Sequence, residues 1–354
     1  MALSYEALAE VEDPRPGPPV PRAAVLEIDA SLYGDRDGST WLVATDTSRM
    51  EEALRIADHR LAHPTPVAEI ERRDPARPVT SLPREAYCTA VRAVLERIFA
   101  GDVYQANLTQ MFSVEYPSDP GSAWSRLAEA AGAPRAAYFA DGAFALASVS
   151  PEIFMDVDRD GGCTTWPIKG TRRRHADPEL DRRAAVELAA SEKDLAELVM
   201  IVDLERNDLS RVSRVGSVCT GPIPELRSYP AVHHLVARVN SRLLPGTGIE
   251  ALLDATFPGG SITGAPKESA MRILAGLEPC LRGPFTGSLL WLGDDGSLAS
   301  SILIRSVVFA RGRAWLGAGG GVVADSDPES EWRESNDKAR AIAGALGFAP
   351  EDAR

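Results

Sequence analysis

The sequence predicts an α+β protein in which long helices accompany strands of the antiparallel hairpin type. Apolar residues recur at helical spacing through Arg84–Phe99 and through Pro178–Val212, which is the longest helical pattern of the chain. Short apolar runs are instead separated by turn sequences such as ADGA and DRDGG. These runs lie at Phe112–Tyr116, Ala136–Phe139, Ala143–Ser148 and Ile153–Val157. This mixture favours an α+β architecture over a wound parallel sheet.

The N-terminal part reads as a small subdomain followed by a linker. The apolar runs AAVLEIDA and WLVA in Val20–Ala44 are separated by the turn-forming YGDRDGST, which predicts a hairpin. A helix is expected from Thr47 to Leu61, and the proline-rich Pro64–Pro83 is the expected linker. We therefore assign residues 1–80 to an N-terminal subdomain with its linker and residues 81–354 to the main domain.

The C-terminal half continues the mixture of strands and helices. Strand character resumes at Gly216–Thr220, and a helix containing His233 and His234 is predicted to begin near Tyr229. A further helix over Ser269–Leu277 follows a glycine-rich loop. The runs SLLWLG, ILIRSVVFAR and AWLGAG are expected strands before a last helix from Ser330 to Leu346.

Composition limits the classes of function. The formal net charge of −13 repels phosphate backbones and anionic lipid headgroups, which argues against nucleic-acid or membrane-surface binding. The N-terminal region is acidic and proline-rich rather than basic and apolar, so no signal peptide is expected. The four cysteines lack paired spacing and are expected to be reduced thiols. We expect a cytoplasmic protein.

Two acidic pairs lie on predicted helices. Asp194 and Glu197 are three residues apart in one helix, and Glu331 and Glu334 have the same spacing in another. Residues at this spacing project from one helix face. Two such helices could meet around Mg²⁺, a hard ion that prefers carboxylate oxygens and keeps waters that a substrate can replace. The alternative for any single acid is a solvated charged face.

Several other residues are candidates for a site. Lys169 lies in an apolar setting that permits burial and a lowered pKa, although most lysines are solvated. Thr263 lies in a glycine-bearing loop that opens a helix, where anions are favoured. Arg305 lies mid-strand among apolar residues and would need a counter-charge there. The glycines from Gly317 to Gly321 would form a loop whose amides bind a carboxylate, or else a tight turn.

The order of these segments resembles the chorismate-binding enzymes, from Leu82 to Gly347. The segments are GDVYQANLTQ, PIKGTRRR, SEKDLAELVMIVDLERNDLSRV, YPAVHHLV, FPGGSITGAPK, SSILIRS and GAGGGVVADSDPESEWRESNDKA. The resemblance implies an α+β sandwich of two large sheets flanked by helices, with the active site in the cleft between the sheets. It also implies that the substrate is chorismate and that Mg²⁺ holds its ring carboxylate.

The resemblance assigns roles to individual residues. Glu197 and Glu334 would be the principal Mg²⁺ ligands, with Asp194 and Glu331 beside them. The pyruvyl carboxylate would bind Arg305 and the amides of Gly319, Gly320 and Gly321. His234 would lie near the departing C4 hydroxyl. The residues implied to line the rest of the substrate pocket are Gly170, Thr171, Thr263 and Lys338.

Two positions distinguish members of the family. Gln105 takes the place of the lysine base in members that add water, and a neutral amide cannot deprotonate water. Lys169 takes the place of an alanine usual in anthranilate synthases. The resemblance implies that Lys169 attacks C2 and expels the C4 hydroxyl before ammonia adds at C4. The expected product is 4-amino-4-deoxychorismate.

The same resemblance suggests partners and leaves alternatives. The chain has no glutaminase pattern, so ammonia derived from glutamine would need a separate amidotransferase subunit. Residues before Leu82 lack the Leu-Leu-Glu-Ser element of many relatives, and Phe285 stands where a tyrosine often contacts substrate. The two alternatives are an anthranilate synthase component I and a non-catalytic relative that binds a partner or metabolite.

Overall fold

A computed structural model describes residues 1–8, 13–34, 40–44, 46–62, 78–131, 133, 135–229 and 232–348. It divides the chain into two compact units. The larger unit comprises Met1–Ala24 and Arg72–Arg354, and the smaller comprises Val25–Glu71. The division expected at residue 80 differs from this grouping because residues 1–24 belong to the larger unit, and that boundary stays a prediction.

The helices and strands are numbered in chain order. The helices are α1 Thr47–Ala62, α2 Arg84–Phe99, α3 Pro120–Ala131, α4 Pro178–Ala189, α5 Glu192–Ser210, α6 Ile249–Thr256, α7 Lys267–Leu277 and α8 Pro328–Ala343. Short 3₁₀ turns lie at Gly260–Ile262 and Gly344–Leu346. The strands up to the end of α5 are β1 Ala2–Leu3, β2 Ala23–Ala24, β3 Ala30–Gly34, β4 Thr40–Ala44, β5 Val79–Thr80, β6 Gln105–Glu115, β7 Arg135–Ala140, β8 Phe144–Ser150, β9 Ile153–Val157, β10 Gly162–Trp166 and β11 Ile168–Arg173. The later strands are β12 Cys219–Thr220, β13 Glu225–Ser228, β14 Val232–Val236, β15 Val239–Arg242, β16 Gly264–Ala265, β17 Ser288–Leu292, β18 Leu298–Ile302, β19 Ser306–Ala310 and β20 Arg313–Val322.

The smaller unit is an antiparallel hairpin with one helix. Strands β3 and β4 pair with Ala30 opposite Ala44, and α1 follows at Thr47. The predicted hairpin and helix are confirmed, but the first strand of the hairpin begins only at Ala30, the last residue of the AAVLEIDA run, and continues to Gly34. The predicted linker at Pro64–Pro83 lies largely outside the described residues, and β5 occupies part of its remainder.

Two large antiparallel sheets and a small one build the larger unit, which confirms the predicted α+β class. One sheet has the order β12-β15-β10-β9-β18-β17-β1-β2. The other has the order β16-β6-β20-β19-β8-β7, and β5 adds to β6. A separate three-stranded sheet has the order β11-β14-β13. Side chains on β20 alternate between half-buried and buried, as expected for a strand with one face on a core.

The glycine run from Gly317 to Gly321 is part of a strand, and the predicted loop is wrong. These residues lie in β20, which pairs with β6 from Arg313 through Val322. A Cβ at Gly319 would lie 2.2 Å from the carbonyl oxygen of Leu108, so a side chain there would collide with β6. Glycine is therefore required for close approach of two strands rather than for a turn.

Three further local predictions are wrong. His233 and His234 lie on β14 rather than on a helix, because the segment pairs with β11 on one side and β13 on the other. Arg305 is not mid-strand but occupies a bend between β18 and β19 with a φ of 51°. The long helical pattern is two helices, because the side chain of Ser191 accepts a hydrogen bond from Asp194 and begins α5.

Other predicted elements are confirmed. Helix α2 has the predicted bounds, and Asp177 caps the start of α4 by accepting from the amides of Glu179 and Leu180. Within the described ranges, no helix combines the length and apolar character needed to cross a membrane. The expected cytoplasmic location stays a prediction.

Candidate active site

One cavity of about 600 Å³ collects most of the predicted site residues. It is lined by the strands β11 and β20, the helices α5 and α8, and the segments around residues 152, 261 and 286. The predicted residues among its lining are Lys169, Gly170, Thr171, Asp194, Glu197, His234, Arg305, Gly319, Gly321, Glu331, Glu334 and Lys338. The structure thus brings residues from distant parts of the sequence to one place.

Lys169 presents a buried amine to this cavity. Its side chain is 14% exposed, and its Nζ lies 3.8 Å from Oε2 of Glu197. Burial lowers the pKa of Lys169, and Lys338 adds to this effect while Glu197 opposes it. A lowered pKa increases the fraction of neutral amine, which is the nucleophilic form.

A bulge in β11 orients Lys169 and Thr171. The register against β14 shifts between these two residues, and Gly170 between them has a φ of 74°. A Cβ at Gly170 would lie 2.8 Å from Leu188 and 2.9 Å from Asp194, so the position needs glycine for both conformation and space. Bulges of this kind redirect side chains and are common beside active sites.

The two adjacent histidines have different surroundings. Nδ1 of His234 lies 2.9 Å from Oγ1 of Thr171, and its ring packs edge-on against Tyr229. Burial lowers the pKa of His234, which favours the neutral imidazole. His233 points away from the cavity lining, and its two ring nitrogens contact Asp181 and Ser228 at 3.0 and 2.7 Å. His234 is therefore the histidine that can reach a ligand in the cavity.

The four predicted metal-binding carboxylates enter the cavity from two helices. Asp194 and Glu197 lie on α5, whereas Glu331 and Glu334 lie on α8. Burial raises the pKa of Glu197 and of Glu331. Burial also acts to raise the pKa of Glu334, but Lys338, whose Nζ lies 2.7 Å away, reverses the direction and lowers it.

These carboxylates have the chemistry of a magnesium site without forming a closed cluster. In the part of the chain that the structure describes, no group of three or more His, Cys, Asp or Glu side chains could hold a metal ion by itself. Oxygens of Glu331 and Glu334 nevertheless lie 2.9 and 3.9 Å from the position a Cβ would take at Gly320. Since Mg²⁺ is usually held by one or two carboxylates plus waters and substrate, the donor set fits this ion.

Arg305 supplies an available cation. Its Nη1 donates to the carbonyl of Lys338 at 3.2 Å, and burial lowers its pKa. Among the described residues, no carboxylate lies within ion-pair distance of Arg305, and the expected counter-charge is therefore not part of the described chain. A guanidinium in this setting matches a substrate carboxylate in geometry and charge.

Two predicted substrate-binding residues lie outside the cavity lining. Thr263 is fully buried, and its hydroxyl donates to the carbonyl of Gly259 at 2.9 Å. Gly320 is also absent from the lining, and a Cβ there would lie 2.9 Å from Oε2 of Glu331. The structure instead places Ser261 and Ile262, the two residues before Thr263, in the lining. A direct contact between Thr263 and substrate stays a prediction.

Glu152 is a site residue that the sequence analysis missed. It connects β8 to β9 at the cavity wall, and it is only 4% exposed. Burial raises its pKa to about 7, although Ser261 and Lys169 act in the opposite direction. Its Oε1 has no hydrogen-bond partner among the described residues. An acidic residue between two continuous apolar strands was the signal that could have revealed it.

Gln105 and Phe285 occupy the positions that the sequence analysis marked as departures. Gln105 on β6 is fully buried, and neither polar atom of its side chain has a partner in the described ranges. Gln105 is not among the residues that line the cavity, and its neutral amide could not act there as a base. Phe285 lines the cavity with an apolar ring.

Comparison with known proteins identifies the family. The sequence profile of the chorismate binding enzyme family matches residues 1–344. The chain therefore belongs to the chorismate-binding enzyme family. The crystal structure of anthranilate synthase component I from Streptococcus pneumoniae TIGR4 superposes with a TM-score of 0.86 and 27% sequence identity, covering 97% of this chain and 79% of that one.

Two relatives with different names match about three quarters of this chain. Aminodeoxychorismate synthase component 1 of Salmonella typhimurium is 43% identical over 263 residues, which are 74% of this chain and 58% of that protein. Anthranilate synthase component 1 1 of Haloarcula marismortui is 40% identical over 263 residues, which are 74% of this chain and 54% of that protein. The chain thus spans little more than half the length of these two relatives.

Proposed function

We propose that the chain aminates chorismate at C4 to give 4-amino-4-deoxychorismate, with ammonia from a partner glutamine amidotransferase. The observation that carries the proposal is the buried amine of Lys169 in the cavity that also holds the acidic faces of α5 and α8. The relative named aminodeoxychorismate synthase component 1 supports this choice. Because that relative is named as one component, its name also supports the existence of a partner subunit.

Lys169 begins the proposed reaction as a nucleophile. Its neutral amine attacks C2 of the ring, the ring double bonds shift, and the C4 hydroxyl takes up one proton and leaves as water. Ammonia then adds at C4 and gives up one proton, which replaces the one consumed, while the double bonds return and the C2–N bond to Lys169 breaks. The net change is chorismate plus ammonia to 4-amino-4-deoxychorismate plus water, with the enolpyruvyl group retained.

Glu152 and His234 are suited to the proton transfers. A carboxyl with a pKa near 7 exchanges protons readily at neutral pH, and Lys169 lies close enough to influence it electrostatically. We propose that Glu152 accepts the proton that Lys169 loses when the C2–N bond forms. Glu152 then returns this proton to Lys169 when the bond breaks. Neutral His234 would hydrogen-bond the departing C4 hydroxyl.

Charged residues would orient the dicarboxylate. We propose that Glu197 and Glu334 hold Mg²⁺, with Asp194 and Glu331 assisting directly or through water. The metal, when bound, would neutralise and orient the ring carboxylate. Arg305 and the backbone of Gly319 and Gly321 would bind the pyruvyl carboxylate, while Gly170, Thr171 and Lys338 line the remainder. These cations offset the acidic charge of the chain at the place where an anion must bind. Gly320, which the resemblance also implied, lies outside the lining and would contribute only by keeping the strand free of a side chain there.

A product assay separates this proposal from its rivals. The chain is incubated with chorismate, Mg²⁺ and ammonium, and the products are resolved by chromatography and mass spectrometry. The proposal expects 4-amino-4-deoxychorismate without release of pyruvate. Fluorescent anthranilate with pyruvate would identify the rival activity, which the Haloarcula relative keeps open. Chorismate binding without turnover would instead identify a non-catalytic relative.

A further inference from the structure

One fully buried arginine connects three segments of the cavity wall. Nη1 of Arg282 donates to the carbonyl of Ile262 at 2.9 Å and to Oγ1 of Thr286 at 3.3 Å. Nη2 donates to the carbonyl of Asn107 at 2.7 Å. Asn107, Ile262 and Thr286 all line the cavity, whereas Arg282 itself does not. A single guanidinium therefore fixes the relative positions of three wall segments.

A carboxylate fixes the orientation of this guanidinium. Glu278 accepts from Nε and Nη2 of Arg282 at 2.9 and 2.7 Å, which is the bidentate arrangement. Oε1 of Glu278 also accepts from the amide and the hydroxyl of Thr109, each at 2.9 Å. The pair is thereby attached to β6, the strand that carries Asn107.

Residues 5 and 6 contact Arg282 and do not line the cavity. The guanidinium carbon lies 4.3 Å from the ring centroid of Tyr5, within the range of a cation–π contact. Glu6 accepts from the amides of Arg282 and Gly283 at 2.8 and 3.1 Å. The amide of Tyr5 in turn donates to the carbonyl of Gly283 at 2.8 Å.

We propose that Tyr5, Glu6 and Arg282 form a clamp that positions the cavity wall of Asn107, Ile262 and Thr286 and thereby sets the affinity for substrate. The inference rests on the proposed function for the identity of that substrate. The clamp residues are positioning residues, because none of them lines the cavity. Shifts of about an ångström in supporting residues are enough to weaken a preorganised site.

Tyr5 provides a matched pair of variants. Its hydroxyl has no hydrogen-bond partner among the described residues, so Tyr5→Phe keeps the ring and removes nothing that the clamp uses. Tyr5→Leu removes the π face. We expect Tyr5→Leu to raise KM for chorismate about fivefold to tenfold, with kcat within about twofold of the parent value, because the reacting groups are untouched. Tyr5→Phe should match the parent protein.

Two further variants test the polar side of the clamp. Arg282→Lys keeps a positive charge but loses the planar fork, so it should raise KM at least as much as Tyr5→Leu. Glu6→Gln keeps one acceptor and loses the other, and its effect should be smaller. Thermal unfolding identifies any variant that does not fold, and Tyr5→Leu decides the question if Arg282→Lys fails to fold.

Hydrogen–deuterium exchange gives a readout independent of turnover. Peptides covering residues 105–111 and 284–290 should exchange faster in Tyr5→Leu than in Tyr5→Phe, while peptides from α4 should be unchanged. Equal exchange in the two variants would overturn the clamp. So would a folded Tyr5→Leu protein with an unchanged KM, or one in which kcat alone falls. If the parent protein does not transform chorismate, the proposed function fails, and exchange still decides the clamp.

Discussion

Two buried groups of charged residues in this molecule are organised in opposite ways. Arg282 and Glu278 satisfy one another through two hydrogen bonds, and further donors and acceptors surround them. In the cavity, by contrast, Oε1 of Glu152 has no partner within the described chain, and Nζ of Lys169 lies 3.8 Å from its nearest carboxylate. Buried charged groups whose hydrogen bonds are all made within the protein fix its structure. Buried groups that lack such partners are the ones that can bind a ligand.

The largest expected effect comes from removing the cavity amine. Lys169→Ala should lower kcat for 4-amino-4-deoxychorismate on the order of ten-thousandfold, because the nucleophile of the proposed first step is lost. The measurement is single-turnover product formation from chorismate with ammonium. Lys193→Ala is the control, because Lys193 lines the same cavity from the exposed start of α5. An unchanged rate in Lys169→Ala would remove the nucleophile assignment.

Removing one member of the Arg282–Glu278 pair should instead lower the stability of the folded protein. Glu278→Ala leaves the guanidinium of Arg282 buried without its carboxylate, and we expect the free energy of unfolding to fall by about 3 to 5 kcal/mol. Urea denaturation at neutral pH measures this change. Glu179 offers a contrast, because it forms exposed ion pairs with Arg182 and Arg183 on α4. Glu179→Ala should have little effect, and equal losses in the two variants would contradict the distinction.

Sequence patterns predicted much of the fold, but they did not predict which buried charged groups find hydrogen-bond partners. Helical periodicity gave the bounds of α2, and alternation with turn residues gave β9. The glycines of β20 were misread because their cause is the approach of β6, a tertiary contact that local sequence does not encode. Glu152 was missed for the same reason, since burial and the absence of a partner arise only after distant segments meet.

Replacing the buried carboxyl of Glu152, whose Oε1 has no partner among the described residues, should stabilise the protein in a pH-dependent way. The pKa of Glu152 is raised from 4.5 to about 7 in the folded protein, so the folded state favours its protonated form. Its contribution to stability is therefore complete below about pH 4.5 and is lost as the pH rises through 7. The side chain of Glu152→Gln cannot ionise. Above pH 7 the free energy of unfolding of this variant should therefore be about 3 kcal/mol larger than that of the parent protein.

Thermal unfolding across pH tests this expectation. The difference in melting temperature between Glu152→Gln and the parent protein should be largest above pH 7 and should vanish in acid. Turnover should fall in the same variant, because an amide cannot exchange the proton assigned to Glu152. A variant with less stability than the parent at high pH would show that the carboxylate is satisfied in the folded protein.

The smallest expected effect is on the concentration of Mg²⁺ that the enzyme needs for activity. Glu334→Gln removes one charge from the acidic face of α8, and about tenfold more Mg²⁺ should be needed for half-maximal activity, because the neutral amide is a weaker ligand for a hard cation. Glu329→Gln is the control, since Glu329 lies on the same helix but pairs with Arg84 at the surface. Chelation should abolish turnover, and added Mg²⁺ should restore it. Equal Mg²⁺ dependence in the two variants would exclude Glu334 as a ligand, and the ion pair with Lys338 would then be its role.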